Sequence, residues 1–106
     1  MSGLSIPVTI VNHPDEHGTV GEPHTIICNK STNGPVHWWY RSHPDADIEH
    51  VSFGEGTLNG FKGRCFLDAD NLVFKELDMN DTGIYTCLEE GGYGVRHVTY
   101  LTVSGN

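Results

Sequence analysis

The chain has 106 residues, and its fourteen acids against six bases give a formal net charge of −8. This length suits one domain with one core. The acidic balance disfavours a nucleic-acid-binding protein, because phosphates need a basic patch that the sequence lacks, and it argues against an anionic membrane surface. No apolar run approaches the roughly 20 residues of a transmembrane helix. We expect a single domain over residues 1–106, with residues 1–5 a vector-derived or linker segment.

Short β-rich runs separated by turn residues follow one another along the whole chain. No stretch of ten or more residues repeats apolar side chains at helical spacing. Turn-forming residues such as Asn33-Gly34-Pro35 and Asn59-Gly60 separate the runs. The pattern predicts eight short strands, which is typical of a sandwich or small barrel. The predicted strands are Ile6–Val11, His24–Asn29, Val36–Arg41, Ile48–Phe53, Arg64–Asp68, Leu72–Leu77, Gly83–Glu89 and Val95–Val103.

Two cysteines, Cys28 and Cys87, lie 59 positions apart, and each falls within a predicted strand. Trp39 follows Cys28 by eleven positions, and Cys87 ends a D-x-G-x-Y-x-C motif that begins at Asp81. Upstream, the spacing L-x-F-x-x-L-x-x-x-D runs from Leu72 to the same aspartate. These residues resemble the immunoglobulin superfamily, in its V-set or I-set form, over nearly the whole chain. The resemblance implies an all-β fold, an immunoglobulin-like β-sandwich of two antiparallel sheets in a Greek key.

The resemblance also implies roles for particular side chains. A Cys28–Cys87 disulfide would join the sheets and contribute roughly 4 kcal/mol in the chain-entropy model. Tyr85 would form the tyrosine corner, its hydroxyl donating to a nearby backbone carbonyl. A basic residue that opens the D strand would pair with the aspartate of the E–F turn. The implied core residues are Trp39, Arg64, Leu72, Asp81 and Tyr85.

The third cysteine, Cys65, takes no part in this implied disulfide. Arg64 resembles the basic residue that opens the D strand, and the next residue in that family normally faces the core. We therefore expect Cys65 and Leu67 to point inward, and a buried thiol is the favoured interpretation. An intermolecular disulfide is the alternative, and it requires an exposed Cys65.

The two tryptophans of the chain, Trp38 and Trp39, are neighbours in a predicted strand. Adjacent side chains of a strand point to opposite faces. The family's W-[YV]-[RK] run matches Trp39-Tyr40-Arg41, so we expect Trp39 to face the core and Trp38 to face outward. His37 then falls on the inward side, where the family usually has an apolar residue.

The same alternation predicts an apolar, aromatic-rich patch on the outer side of the sheet. Sheets that face water normally alternate to polar residues, and contiguous apolar patches usually mark contact sites. In V-set domains this is the face used for pairing. The acids Glu49, Glu89 and Glu90 near its rim would favour a basic partner. Cover by a loop or an adjacent domain is the alternative. The predicted partner-binding residues are Trp38, Tyr40, Leu88, Val98 and Tyr100.

Other candidate chemistry is weak. Asn29 and Asn80 begin N-x-S/T sequons and are candidate glycosylation sites. The seven histidines are scattered, and we expect surface histidines and no metal or cofactor site. Residues Phe53–Thr57 match an F-G-x-G-T motif of antigen-receptor joining segments, but they precede Cys87, so we treat the match as coincidence. No nucleophile has a credible base, so we do not expect an enzyme.

The function expected from these observations is protein–protein recognition. A structural disulfide indicates an oxidising, extracellular or secretory compartment. We expect a recognition module of a cell-surface adhesion or immune-type receptor, attached to any membrane only through a segment outside this sequence. Its partner would be a protein ligand or receptor, and self-pairing as a homodimer is a further option. The alternatives are a secreted or viral decoy, and a structural module of a multidomain receptor such as a receptor tyrosine kinase ectodomain.

Overall fold

A computed structural model describes residues 9–31, 33–53, 65–89 and 94–105, except for the side chain of Phe53. No helix in these ranges is long and apolar enough to cross a membrane. The described residues form nine strands and one short 3₁₀ turn, Met79–Asp81. The strands are β1 (Ile10–Asn12), β2 (Glu16–Thr19), β3 (His24–Ile26), β4 (Val36–Arg41), β5 (Glu49–Phe53), β6 (Cys65–Asp68), β7 (Asn71–Phe74), β8 (Gly83–Glu89) and β9 (Arg96–Ser104).

The strands form two sheets. The larger sheet has the order β1-β9-β8-β4-β5, and β2 also pairs with β9. Both β1 and β2 run parallel to β9, whereas the other pairs in this sheet are antiparallel. The smaller sheet has the order β3-β7-β6 and is antiparallel throughout. The all-β prediction is therefore confirmed, and β4 and β8 have their predicted bounds.

A disulfide and a shared apolar core join the two sheets. Cys28 follows β3 of the smaller sheet and Cys87 lies in β8 of the larger one, and their Cα atoms are 5.8 Å apart. The predicted pairing is confirmed. Both sheets contribute to one buried cluster, an arrangement compatible with a β-sandwich. Its members are Ile26, Cys28, Val36, Trp38, Tyr40, Val51, Cys65, Leu72, Phe74, Leu77, Tyr85, Cys87, Leu101 and Val103.

Hydrogen bonds between side chains and backbone groups fix the turn before β8. The Tyr85 hydroxyl donates to the Asp81 carbonyl oxygen at 2.6 Å, as the tyrosine-corner prediction requires. Asp81 is fully buried, and its carboxylate accepts from the Asp78 amide at 2.8 Å. The Asp78 carboxylate in turn accepts from the amide of Asn80 at 3.0 Å. The predicted pairing of Arg64 with this aspartate lies outside the described residues.

The thiol of Cys65 lies in the core. Cys65 is 8% exposed and belongs to the buried cluster, and Leu67 packs against that cluster. Alternation along β6 therefore places both side chains inward, as predicted. The intermolecular disulfide required an exposed sulfur, so the burial favours the interpretation as a small hydrophobe.

The segment around Glu16 forms a strand that was not among those predicted. β2 pairs in parallel register with β9. Glu16 accepts a hydrogen bond from His24 at 2.7 Å. Gly18 packs closely against Leu77, since a Cβ atom on Gly18 would lie 2.2 Å from Cδ1 of Leu77. These tertiary contacts outweigh a turn-like composition. The prediction that the first strand starts at Ile6 lies partly outside the described residues.

Gly83 of the D-x-G-x-Y-x-C motif has no room for a side chain. A Cβ atom at this position would lie 2.6 Å from the Arg41 carbonyl oxygen and 2.5 Å from Cε1 of Tyr40. Because the first of these is backbone of the neighbouring strand, Gly83→Ala should lower the free energy of unfolding by about 1–3 kcal/mol. Urea unfolding measures this. Gly105→Ala, whose Cβ atom would meet no atom within 4 Å, is the control. Equal stability of the two variants would contradict the packing described here.

Candidate functional site

The two tryptophans have the reverse of their predicted orientations. Trp38 is 1% exposed and pairs across β4 and β8 with Cys87, so the indole faces the disulfide. Its Nε1 atom donates to the Asp70 carbonyl oxygen at 2.8 Å. Trp39 is half-buried and points to the opposite face of the sheet. Trp38 is therefore the core tryptophan, and the prediction that it contacts a partner is wrong.

Tyr40 also points inward, which corrects its assignment to the partner-binding set. It is 8% exposed, and its ring lies 5.0 Å from that of Tyr85. Burial, with a smaller contribution from the Asp81 carboxylate, raises the pKa of Tyr40. The hydroxyl therefore stays protonated at neutral pH and donates to the Thr82 carbonyl oxygen at 2.8 Å.

The register between β4 and β8 gives the physical reason for both corrections. Residues paired across a sheet lie on the same face. The inward residues Cys87 and Tyr85 of β8 stand opposite Trp38 and Tyr40 of β4. The sequence carried a signal for this orientation. On β4 the inward positions, Val36 included, are all apolar, whereas the outward ones include His37 and Arg41.

The opposite side of the larger sheet, called the outer face below, carries rows of side chains that run across the strands. Leu88, Val98 and Tyr100 lie on it as predicted, and Tyr100 is 38% exposed. The exposed apolar side chains of Ile10 and Ile48 lie at its margin. Read from β4 through β8 to β9, the rows are His37-Leu88-Arg96, Trp39-Thr86-Val98 and Arg41-Ile84-Tyr100.

A pocket of about 200 Å³ lies within the outer face, and Trp39 is part of its lining. The apolar side chains of Ile10, Ile48 and Val98 form part of its wall, and two arginines, Arg41 and Arg96, complete it. Asn12 and Thr86 supply the remaining lining. The pocket thus combines an aromatic ring, aliphatic side chains and two positive charges.

The two arginines of this pocket differ in how they are held. The Arg96 guanidinium lies over the Trp39 ring, with its Cζ atom 5.0 Å from the ring centroid, a cation–π arrangement. Its Nε atom is buried and has no hydrogen-bond acceptor among the described residues. Arg41 donates from Nη1 to the Pro44 carbonyl oxygen at 3.0 Å. Within the described ranges neither arginine pairs with a carboxylate.

Glu89, expected at the rim of the outer face, is buried inside the sandwich. Its carboxylate accepts from the amide of Ser31 at 3.0 Å, and Nε2 of His97 lies 2.6 Å from Oε2. The other ring nitrogen of His97 is 3.0 Å from Nε2 of His13. A buried carboxylate needs such partners. Sequence reasoning missed this chain of groups because it joins strands that are distant along the sequence.

Of the other acids expected near the rim, Glu49 is exposed but pairs with the inward-facing Tyr40, so it does not lie on the outer face. Glu90 lies outside the described residues. The described lining of the pocket carries two arginines and no carboxylate, so it does not support the expectation of a basic partner.

The remaining candidate residues give a mixed result. Asn29 and Asn80 are exposed, so their side chains are accessible, and the use of these sequons stays a prediction. The described ranges contain no group of three or more side chains suited to a metal ion. Of the F-G-x-G-T match, residues 54–57 lie outside the described residues.

Neither the comparison with protein-family models nor the search of curated protein sequences finds a match to this chain.

Alanine at the two tryptophan positions should have very different effects on stability. Trp38→Ala removes a fully buried indole and should cost about 3–5 kcal/mol of unfolding free energy. Trp39→Ala removes a half-buried ring from the outer face and should cost no more than about 1.5 kcal/mol. Urea unfolding of both variants tests this, each serving as the control for the other. A greater loss of unfolding free energy in Trp39→Ala than in Trp38→Ala would contradict the orientation described here and support the predicted one, with Trp39 in the core.

Proposed function

We propose that this chain is an immunoglobulin-like domain that recognises another protein through the outer face. The fold part of the proposal is supported by the D-x-G-x-Y-x-C motif and the inter-sheet disulfide. It is further supported by the strand order, with β9, β8, β4 and β5 in the positions of strands G, F, C and C′ and with β3, β7 and β6 in those of B, E and D. The disulfide favours an extracellular or secretory location.

The observation that carries the recognition function is the composition of the outer face. A sheet face in contact with water is normally polar. The outer face instead carries the exposed Tyr100, the Trp39 ring in contact with the Arg96 guanidinium, and aliphatic side chains at its margin. Tyrosine, tryptophan and arginine are also the residues that dominate binding energy in protein interfaces. The proposed contact residues are Trp39, Leu88, Arg96, Val98 and Tyr100.

A receptor or adhesion role places this domain on a cell surface, whereas a decoy role requires only secretion. Both use the same face, so the contact residues do not distinguish them. A structural module within a larger protein differs, because it needs no exposed contact surface. The apolar and aromatic outer face therefore favours recognition over a structural module.

Tyr100→Ala should weaken recognition, and Phe66→Ala provides a matched control. Phe66 is 41% exposed and lies on the smaller sheet, so the two substitutions remove comparable aromatic surface from opposite sides of the sandwich. Biotinylated domain is assembled on streptavidin and tested for binding to a panel of cell lines, and sedimentation over a concentration series measures self-association. We expect Tyr100→Ala to weaken binding or self-association at least about tenfold, as for a hot-spot aromatic, and Phe66→Ala to leave both unchanged.

Loss of binding on Phe66→Ala alone would assign recognition to the smaller sheet and contradict the proposal. A wild-type domain that stays monomeric and binds none of the cells would favour a structural module.

A further inference from the structure

The side chains around Trp39 define which partner the outer face fits. We infer that its pocket receives a carboxylate side chain from an acidic protein partner, held by Arg96 and Arg41 above the Trp39 ring. This inference rests on the proposed recognition function, because it names the chemistry of the partner at that same face.

The contacts of the Arg96 guanidinium are the first observation that supports this inference. The guanidinium Cζ atom lies 5.0 Å from the Trp39 ring centroid, and the group pairs with no carboxylate among the described residues. Its buried Nε atom has no acceptor among those residues either. The positive charge is therefore not neutralised within this part of the chain, and a carboxylate from outside could neutralise it at the remaining N–H groups. A carboxylate is the acceptor whose two oxygens match the paired N–H groups of a guanidinium.

The size and lining of the pocket further restrict which ligands fit it. Its volume of about 200 Å³ has room for one side chain, and its walls include Ile10, Ile48 and Val98. A ligand with a short aliphatic stem and a charged end would place methylene groups on those walls and its oxygens at the arginines. Glutamate has this form. The second arginine, Arg41, adds a positive charge to the same pocket, which favours an anion over a neutral amide.

The distribution of charge argues for a foreign partner over a second copy of the chain. The whole chain carries a formal net charge of −8, yet two of its six basic residues line this one pocket. Two copies paired symmetrically with this pocket on the two-fold axis would bring arginines towards arginines, and like charges opposed across an interface are unfavourable. A partner with an acidic residue at its centre has no such conflict.

A pair of matched peptides tests this inference directly. The probes are acetyl-Ala-Glu-Ala-amide and acetyl-Ala-Gln-Ala-amide, which differ in charge but hardly in shape. They are titrated into ¹⁵N-labelled protein while the Arg96 Nε–H and Trp39 indole resonances are followed. We expect the glutamate peptide to bind at least about tenfold more tightly than the glutamine peptide, because only the carboxylate makes charge-assisted hydrogen bonds. Its affinity should also fall as salt rises from about 50 to about 500 mM.

Variants locate the binding in the pocket. Arg96→Gln should lose at least about tenfold in affinity for the glutamate peptide, and Arg41→Gln should lose less, since that side chain is already engaged with Pro44. Lys75→Gln is the matched control, because the Lys75 ammonium lies over the Phe66 ring, 5.8 Å from its centroid, on the other sheet. It removes a cation from a comparable cation–aromatic pair and should leave affinity unchanged.

Several results would overturn the inference. The first is equal binding of the two peptides. The second is the absence of any resonance shift up to about 20 mM peptide, a concentration high enough to detect weak binding. The third is an unchanged affinity for the glutamate peptide in Arg96→Gln. Acetate that binds as tightly as the glutamate peptide would assign the pocket to a free small carboxylate, and inorganic phosphate that binds more tightly than both would assign it to phosphate.

The outcomes also separate this inference from the proposed function. If the peptides fail to bind while Tyr100→Ala still weakens binding to cells, recognition stands and only the acidic partner is wrong. If the glutamate peptide binds but Tyr100→Ala leaves binding to cells intact, the pocket binds carboxylates without serving the recognition surface.

Discussion

The pairing of Trp38 with Cys87 across β4 and β8 is the constraint on which the rest of the structure depends. The disulfide ties the larger sheet to the end of β3, and the buried indole lies beside it in the core that both sheets share. Because side chains alternate along a strand, fixing one inward residue fixes the direction of every other residue in that strand. The hydrogen bond from the Tyr85 hydroxyl to the Asp81 carbonyl oxygen fixes the turn before β8 and so helps to position that strand in this register. Core and outer face are therefore set together.

The outer face follows from the same register. With Trp38 inward, Trp39 must point outward, and the strand pairs bring Thr86 and Val98 into the same row. Arg96 comes from a neighbouring row of β9 and lies over the indole. A surface with an aromatic ring, aliphatic walls and positive charge on an acidic chain has the chemistry of a recognition site. The proposed recognition surface therefore includes the outward tryptophan, whereas the inward one belongs to the core.

Much of the fold could be predicted from the sequence, because short alternating runs and the cysteine spacing are local signals. The disulfide, the Tyr85 corner and the inward Cys65 were implied by the family resemblance that these motifs carry. The predicted orientation of β4 was wrong because the match of Trp39-Tyr40-Arg41 to a family motif was given more weight than the apolar alternation of that strand. The strand at Glu16–Thr19 was missed because its turn-like residues are held by tertiary pairing with β9.

The candidate site could be predicted only in part. Leu88, Val98 and Tyr100 were found by alternation alone, but the contact of Arg96 with Trp39 joins residues of different strands and leaves no local pattern. Burial of Glu89 beside His97 is likewise a tertiary event. The most direct test of the account measures how a soluble paramagnetic agent broadens the two indole N–H resonances. The account predicts strong broadening for Trp39 and little for Trp38, and the reverse order would contradict both the core and the recognition face.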